Sequence, residues 1–168
     1  MSLLRAKSNS TSKKFLILAI LISLAIADIF STETFAIVSN GKFLAGAPMK
    51  DQIPFTIKFI HSVQKTPVYE DLIATHDHFE LKRTRYQSFG VGLPFLESEG
   101  NFYREGDFFI FDNMNRQFEN LSLRTGVGTQ LTIFLDSRVI RLFELVEDGT
   151  RIDLIVDPFW KIFWRDLL

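Results

Sequence analysis

Two adjacent residues, His61 and Ser62, have the side chains of a hydrolase base and nucleophile. They follow the segment 53–60, in which apolar and polar residues alternate as they do in a half-buried strand. Successive side chains of a strand point to opposite faces, so an extended chain keeps the imidazole away from the hydroxyl. We expect His61 to be a hydrogen-bonded residue at the end of a core face or a ligand-contacting residue, and we assign no catalytic residue.

Two further histidines, His76 and His78, flank Asp77 and could offer two ligands to a metal ion. A third ligand is not evident nearby in the sequence, and the chain contains no cysteine. Absent cysteines also exclude disulfides and the lipid-modified cysteine of a lipoprotein. We therefore expect an exposed turn at these histidines, no structural zinc and no cofactor.

The glycines of Gly90-Val91-Gly92 resemble part of a phosphate-binding loop. Such a loop needs a helix N-terminus aimed at the anion, whereas Pro94 and further loop residues follow here. The pattern favours a glycine turn whose backbone closely approaches another group.

Composition limits both the architecture and the partners. The 168 residues support one domain, and 19 basic against 20 acidic residues give a net charge of -1. This balance provides no positive field that would attract nucleic acid. The 18 phenylalanines, together with valine, isoleucine and tyrosine, favour β-strands.

The N-terminus has the order of an export signal. Arg5, Lys7, Lys13 and Lys14 precede the apolar run 15–27, which Asp28 interrupts. The run covers only about 20 Å as a helix, so a stable span of the hydrocarbon core would have to include Asp28. A small-x-small cleavage site at 25–27 is the alternative. We predict a signal peptide or signal anchor over 1–33 and an extracytoplasmic domain over 34–168.

The remaining chain reads as short strands separated by turns. Asn40-Gly41 between apolar segments predicts a two-residue hairpin. Strand-like segments at intervals of roughly 10 residues predict an all-β antiparallel sandwich or barrel. Besides the first hairpin, the predicted strands are 53–61, 68–75, 79–87, 107–112, 118–123, 129–135, 139–146 and 151–156.

A short amphipathic helix is predicted at the C-terminus. Asp157 can cap it and Pro158 suits its first turn. Its apolar stripe can cover the domain's own sheet, lie in a lipid interface or bind a partner. The stripe consists of Phe159, Trp160, Phe163, Trp164, Leu167 and Leu168.

Two segments carry a family resemblance: His61-Ser62-Val63-Gln64-Lys65-Thr66-Pro67 with the nearby Glu70, and Ser88-Phe89-Gly90-Val91-Gly92. Together they resemble the bacterial family called domain of unknown function 1850. Gln64 departs from the acidic residue expected there. The resemblance marks as binding positions His61, Ser62, Lys65, Thr66, Glu70, Ser88, Gly90 and Gly92.

The resemblance also implies a function. Members are small exported or anchored proteins, often encoded beside the membrane component of TRAP transporters of the TAXI type. This implies a non-enzymatic accessory module that contacts the membrane or solute-binding components of such a transporter. The alternative is a small periplasmic enzyme that uses His61 with a serine or a bound metal. A stand-alone envelope protein whose aromatic C-terminus contacts lipid is a third possibility.

The predicted strand order brings the two motifs together. If 53–61, 68–75 and 79–87 form a meander, the first and third strands end at the same edge of the sheet. His61, Lys65 and Ser88 would then lie near the glycines. Across the second hairpin of this meander, Glu70 and Asp71 could pair with the basic residues at 82, 83 and 85.

Overall fold

The computed structural model describes residues 4–90, 92–94 and 96–167, without the side chains of 4–11, 97, 166 and 167. Helix α1 (Leu4–Ser31) comes first. Its stretch Ser12–Ser31 is 20 residues of largely apolar sequence, long enough to cross a membrane, and the same features fit a signal sequence. The helix continues through Asp28, so this stretch reaches about 30 Å, the thickness of a hydrocarbon core.

Twelve strands follow in the described part of the chain, with two short helices near its end. The strands are β1 (Glu33–Ser39), β2 (Lys42–Pro48), β3 (Ile53–Ile60), β4 (Pro67–Ala74), β5 (Phe79–Tyr86), β6 (Asn101–Glu105), β7 (Phe108–Asp112), β8 (Arg116–Phe118), β9 (Leu121–Arg124), β10 (Thr132–Leu135), β11 (Arg138–Arg141) and β12 (Arg151–Pro158). The helices are α2 (Leu142–Leu145) and α3 (Phe159–Leu167), and a single 3-10 turn covers Glu97–Glu99.

The strands form two antiparallel sheets, as predicted. A four-stranded sheet has the order β2-β1-β12-β9, and an eight-stranded sheet has the order β11-β10-β3-β4-β5-β7-β6 with β8 beside β5. The first hairpin turns at Asn40 and Gly41, both with positive φ (49° and 81°), as the sequence predicted. Strands β3, β4 and β5 form the predicted meander.

The core lies between the two sheets, so the fold is a sandwich. Phe35 of β1 is completely buried and its ring centroid lies 5.0 Å from that of Phe55 on β3 and 6.2 Å from that of Phe79 on β5. Ile57 and Ile133 of the large sheet and Leu154 of the small sheet belong to the same cluster. Burial of these side chains is the main force that holds the sheets together.

The two ends of the sandwich carry different features. At one end, the chain passes from α1 into β1, and the Glu33 carboxylate pairs with Nδ1 of His76 in the β4–β5 turn. At the other end lie the β3–β4 loop and the end of β5, because Ile60 is opposite Pro67 and Tyr86 is opposite Val68. We call the second end the distal end. It is separated from the first by the eight residues of β4, or about 26 Å of extended chain.

Three details of the strand prediction were wrong. The segment 118–123 is divided between β8 and β9, because the chain passes from the large sheet to the small one at the exposed Glu119 and Asn120. The strand predicted over 139–146 ends at Arg141, where the buried Leu142 begins α2 and its N–H donates to the Leu131 carbonyl. Strand β6 was missed because all of its residues are exposed and show no apolar alternation.

The predicted C-terminal helix is present as α3, and it contacts the small sheet through a residue that the prediction did not name. Ile162, outside the predicted stripe, is completely buried against Ala36, Val38 and Ile155 of the small sheet. Asp157 lies within β12 and its carboxylate pairs with Lys161 and Arg165 of the helix, at 3.2 Å each. Of the predicted stripe, Leu168 and the Leu167 side chain lie outside the described residues.

Candidate functional site

The first motif forms the loop between β3 and β4. The His61 N–H donates to the Thr66 carbonyl and the Lys65 N–H donates to the His61 carbonyl, both at 2.9 Å. Lys65 has a φ of 56°, which closes this five-residue turn in the left-handed region. The backbone of the motif is therefore fixed by its own hydrogen bonds, and the exposed side chains of Ser62 and Lys65 project from it.

The His61 ring stabilises this loop from inside. It is 7% exposed, and its Nδ1 accepts the backbone N–H groups of Val63 and Gln64, each at 3.2 Å. Because both partners are donors, Nδ1 acts as an acceptor and carries no proton in this arrangement. Nδ1 is thus engaged as an acceptor and is unsuited to take a proton from Ser62. His61 is a buried, hydrogen-bonded residue at the end of a core face.

The second motif packs directly on this ring. A Cβ atom built on Gly90 would lie 2.7 Å from Nε2 and 2.8 Å from Cε1 of His61, closer than side chains tolerate. Glycine at position 90 therefore lets the loop after β5 approach the imidazole. The two segments that carry the family resemblance meet at this contact, as the meander predicted.

The other predicted site residues lie around this contact with different surroundings. Ser88 is half-buried two residues beyond β5, and Gly92 has a φ of 87° with open space at its missing Cβ. The Thr66 hydroxyl is buried and has no hydrogen-bond partner among the described residues. Val91, the central residue of the glycine turn, lies outside the described residues.

Two aromatic residues of this site were missed at the sequence level. Tyr86 is completely buried, and its hydroxyl donates to the Pro94 carbonyl at 2.7 Å, which ties the glycine loop to the end of β5. Its burial raises the pKa of the Tyr86 hydroxyl to about 12. Phe89 is 50% exposed and its ring centroid lies 4.4 Å from that of Phe109. The sequence did contain a signal for Phe89, because it belongs to the second motif and an aromatic side chain in a loop usually packs on other residues.

Glu70 differs from the rest because it faces the interior. It lies opposite Ile57 and Thr84, so its side chain is on the core-facing side of β4. Burial raises the pKa of the Glu70 carboxyl, and the positive charge of Arg116 lowers it in part. The fold therefore disfavours the charged form of the Glu70 carboxyl.

Replacement of Glu70 by glutamine is expected to stabilise the protein at pH 7. An acid whose pKa is raised on folding loses stability as the pH rises from its ordinary value of 4.5 through the folded pKa. The difference in melting temperature between Glu70→Gln and wild type should vanish near pH 4 and be positive at pH 7. Thermal unfolding at both pH values, with the exposed Glu119→Gln as control, measures it. A variant that melts below wild type at pH 7 contradicts this assignment.

The neighbouring Asp71 belongs to the opposite, outer face of the sheet. Its carboxylate accepts from Thr56 at 2.8 Å, Arg83 at 2.8 Å and Arg85 at 3.0 Å. Burial raises the pKa of this carboxyl, but the Thr56 hydroxyl and the two guanidinium groups together bring it below its ordinary value. The predicted ion pairing across the hairpin therefore holds for Asp71, while Lys82 pairs with Glu80 on its own strand.

The two histidines of the β4–β5 turn do not share a ligand. His76 contacts Glu33, whereas Nδ1 of His78 lies 3.1 Å from the Thr75 hydroxyl. Within the part of the chain that is described, no group of three histidine or carboxylate side chains is arranged to hold a metal ion. That the protein needs no zinc remains a prediction.

Comparison with known proteins places the same segment in a family. The model of the family described as Domain of unknown function (DUF1850) matches residues 55–142. The chain belongs to this family. The matched segment contains both motifs of the candidate site and the strands β4 to β11, while β1, β2 and β12 of the small sheet lie outside it. Neither the curated proteins nor the solved structures contain a match.

Proposed function

We propose that this protein is an extracytoplasmic, non-enzymatic accessory module of a TRAP transporter of the TAXI type. The observation that supports a non-enzymatic recognition role is the contact of the His61 ring with Gly90, which joins both motifs into one structure at the distal end. A buried histidine that fixes two loops suits a recognition surface better than it suits bond cleavage. The transporter itself enters through the family resemblance alone.

The N-terminus supports the extracytoplasmic orientation. Lys13 and Lys14 precede the apolar stretch of α1, together with Arg5 and Lys7 further upstream. Basic residues before a span stay on the cytoplasmic side. The β domain after Ser31 is then on the outer side of the membrane, attached by α1 if the signal is not cleaved.

Exposed side chains at the distal end form the surface that would bind a transporter component. Val63 is 72% exposed on the first motif loop and Val127 is 83% exposed on the loop before β10. These loops are neighbours, because the Ile60 N–H donates to the Thr129 carbonyl at 2.6 Å. The exposed side chains of these two loops, together with Phe89 of the second motif, form a surface that we call the distal rim. It consists of Ser62, Val63, Lys65, Phe89 and Val127. Exposed apolar groups beside polar ones are typical of protein-binding surfaces.

The test compares two matched surface variants in cells that express the chain with its transporter. The distal variant is Val63→Ser with Lys65→Asn, because asparagine tolerates the positive φ at position 65. The control variant is Val139→Ser with Lys50→Asn, which also changes one exposed apolar and one basic residue away from the distal rim. Both should unfold like wild type, since surface changes cost about 0.5 kcal/mol or less.

Solute uptake is the readout. We expect the distal variant to reduce uptake to the level of a strain that lacks the gene, and the control variant to leave it unchanged. Direct binding of the purified solute-binding component and of the membrane component would then identify which of the two is the partner. Normal uptake in the strain that lacks the gene would refute the proposed function, and normal uptake with the folded distal variant would refute the assignment of the rim.

A further inference from the structure

Helix α3 leaves an aromatic face uncovered beside the end of α1. Trp160 is 44% exposed and Trp164 is 56% exposed, although both belong to a helix packed on a sheet. At 3.6 residues per turn they lie one turn apart, on the side opposite the buried Ile162. The domain itself therefore does not cover the two indole rings.

The first turn of α3 is joined to the last turn of α1. The Phe159 N–H donates to the Thr32 carbonyl at 3.0 Å. The ring centroid of Phe30 lies 5.8 Å from that of Phe159 and 5.9 Å from that of Phe163. Because Phe30 belongs to the stretch that is long enough to cross a membrane, these contacts fix α3 at the level where α1 leaves the hydrocarbon.

The apolar surface is continuous from α1 to α3. Between them opens a cavity of about 460 Å³, lined mainly by Ile29, Phe43, Ala47, Pro48 and Phe159. Ile29 is 60% exposed at the side of α1, and Phe163 is 42% exposed at the side of α3. A protein partner would have to cover a surface that begins inside the bilayer, whereas lipid can contact the whole of this surface.

Charge on α3 agrees with this position. Lys161 and Arg165 lie on the flank of the helix and both pair with the Asp157 carboxylate, so they are held beside the domain. Such a helix does not depend on anionic lipid for its attachment. Tryptophan prefers the interface between hydrocarbon and water, where its ring is apolar and its N–H remains hydrogen-bonded.

We infer that α3 is a second membrane contact, with Trp160 and Trp164 in the outer interface of the bilayer that α1 enters. This inference is independent of the proposed transporter, since it needs only the insertion of α1. It also explains why the helix buries the smaller Ile162 against the sheet and directs its two largest side chains outward.

The full chain, reconstituted in phosphatidylcholine vesicles, offers a direct test because its only tryptophans are these two. Flotation first establishes insertion. We expect tryptophan emission at shorter wavelength than that of an indole in water, with strong quenching by phosphatidylcholine brominated on its acyl chains and weak quenching by aqueous acrylamide. The variants Trp160→Phe and Trp164→Phe report each ring separately.

A matched control places the fluorophore elsewhere on the same chain. In a protein with Trp160→Phe and Trp164→Phe, the substitution Phe89→Trp adds an indole at the exposed distal end. Its emission should respond to acrylamide and not to brominated lipid. Inserted protein whose native tryptophans respond like this control would overturn the inference and leave α3 as a protein-binding surface. Failure of the chain to float, or equal quenching of the control by brominated lipid, would overturn it as well.

Discussion

Replacement of Phe35 by alanine should destabilise the domain by about 3 to 5 kcal/mol, the usual cost of removing a large aromatic side chain from a core. Phe35 belongs to the small sheet, is completely buried and contacts the rings of Phe55 and Phe79 on the large sheet. Loss of its ring leaves a cavity between the sheets. Chemical unfolding of the full chain in detergent, followed by circular dichroism, measures the change.

The control for Phe35→Ala is Phe43→Ala, a change in the same hairpin at a ring that is 38% exposed. We expect a much smaller effect there, because little buried surface is lost. Since the free energy of unfolding of a domain is about 5 to 15 kcal/mol, Phe35→Ala would remove a large part of it. An equal and small effect of both substitutions would show that the two sheets do not depend on this contact.

The position of Phe35 also bears on which strands the domain needs in order to fold. The segment matched by the family model, 55–142, contains most of the large sheet but only β9 of the small sheet. Without β1 and β12 the core face of the large sheet would be exposed to water. We therefore expect the strands outside the matched segment to be necessary for folding of the whole.

The parts of the fold that could be predicted were those with a strong local signal. Asn40-Gly41 determines a hairpin because both residues accept positive φ, and Ile53, Phe55 and Ile57 alternate so clearly that one face had to be buried. Consecutive strands with short connections usually pair, which made the β3–β4–β5 meander predictable.

The parts that could not be predicted depend on contacts distant in the sequence. The chain changes sheets between Phe118 and Leu121, where Glu119 and Asn120 permit a turn but do not indicate which sheet the next strand joins. Helix α2 begins where the Leu142 N–H donates to the Leu131 carbonyl, and no local sequence pattern predicts this contact. In α3 the aromatic stripe was predictable, whereas burial of Ile162 against the small sheet has no distinctive local signal.

Prediction of the candidate site had the same limits. That His61 and Gly90 would meet followed from the strand order, but the acceptor role of the His61 Nδ1 depends on the loop conformation. The inward direction of Glu70 was available in principle, because Val68, Glu70 and Leu72 alternate along β4. Because Glu70 is charged, it was interpreted as exposed, although the two-residue period of the strand places it on the core side.

The His61–Gly90 contact should appear as energetic coupling between the two motifs. His61→Ala leaves the N–H groups of Val63 and Gln64 without their acceptor and should cost about 1 to 3 kcal/mol. Gly90→Ala forces a methyl group against the imidazole and should cost a similar amount, about 1 to 3 kcal/mol. The double variant should cost less than the sum, because without the ring the methyl group has room. Thermal and denaturant unfolding of all four proteins measures the coupling.

Two further variants separate the coupling from general damage to the loops. Gly92→Ala, in the same loop, is strained by its φ of 87° but has nothing within reach of the new methyl group, so its cost should add to that of His61→Ala. His61→Asn keeps an oxygen acceptor for the loop N–H groups and should recover part of the stability lost in His61→Ala. If Gly90→Ala and Gly92→Ala were equally additive with His61→Ala, the imidazole would not join the two motifs. A coupling of about 0.5 kcal/mol or more at Gly90 alone would establish that it does.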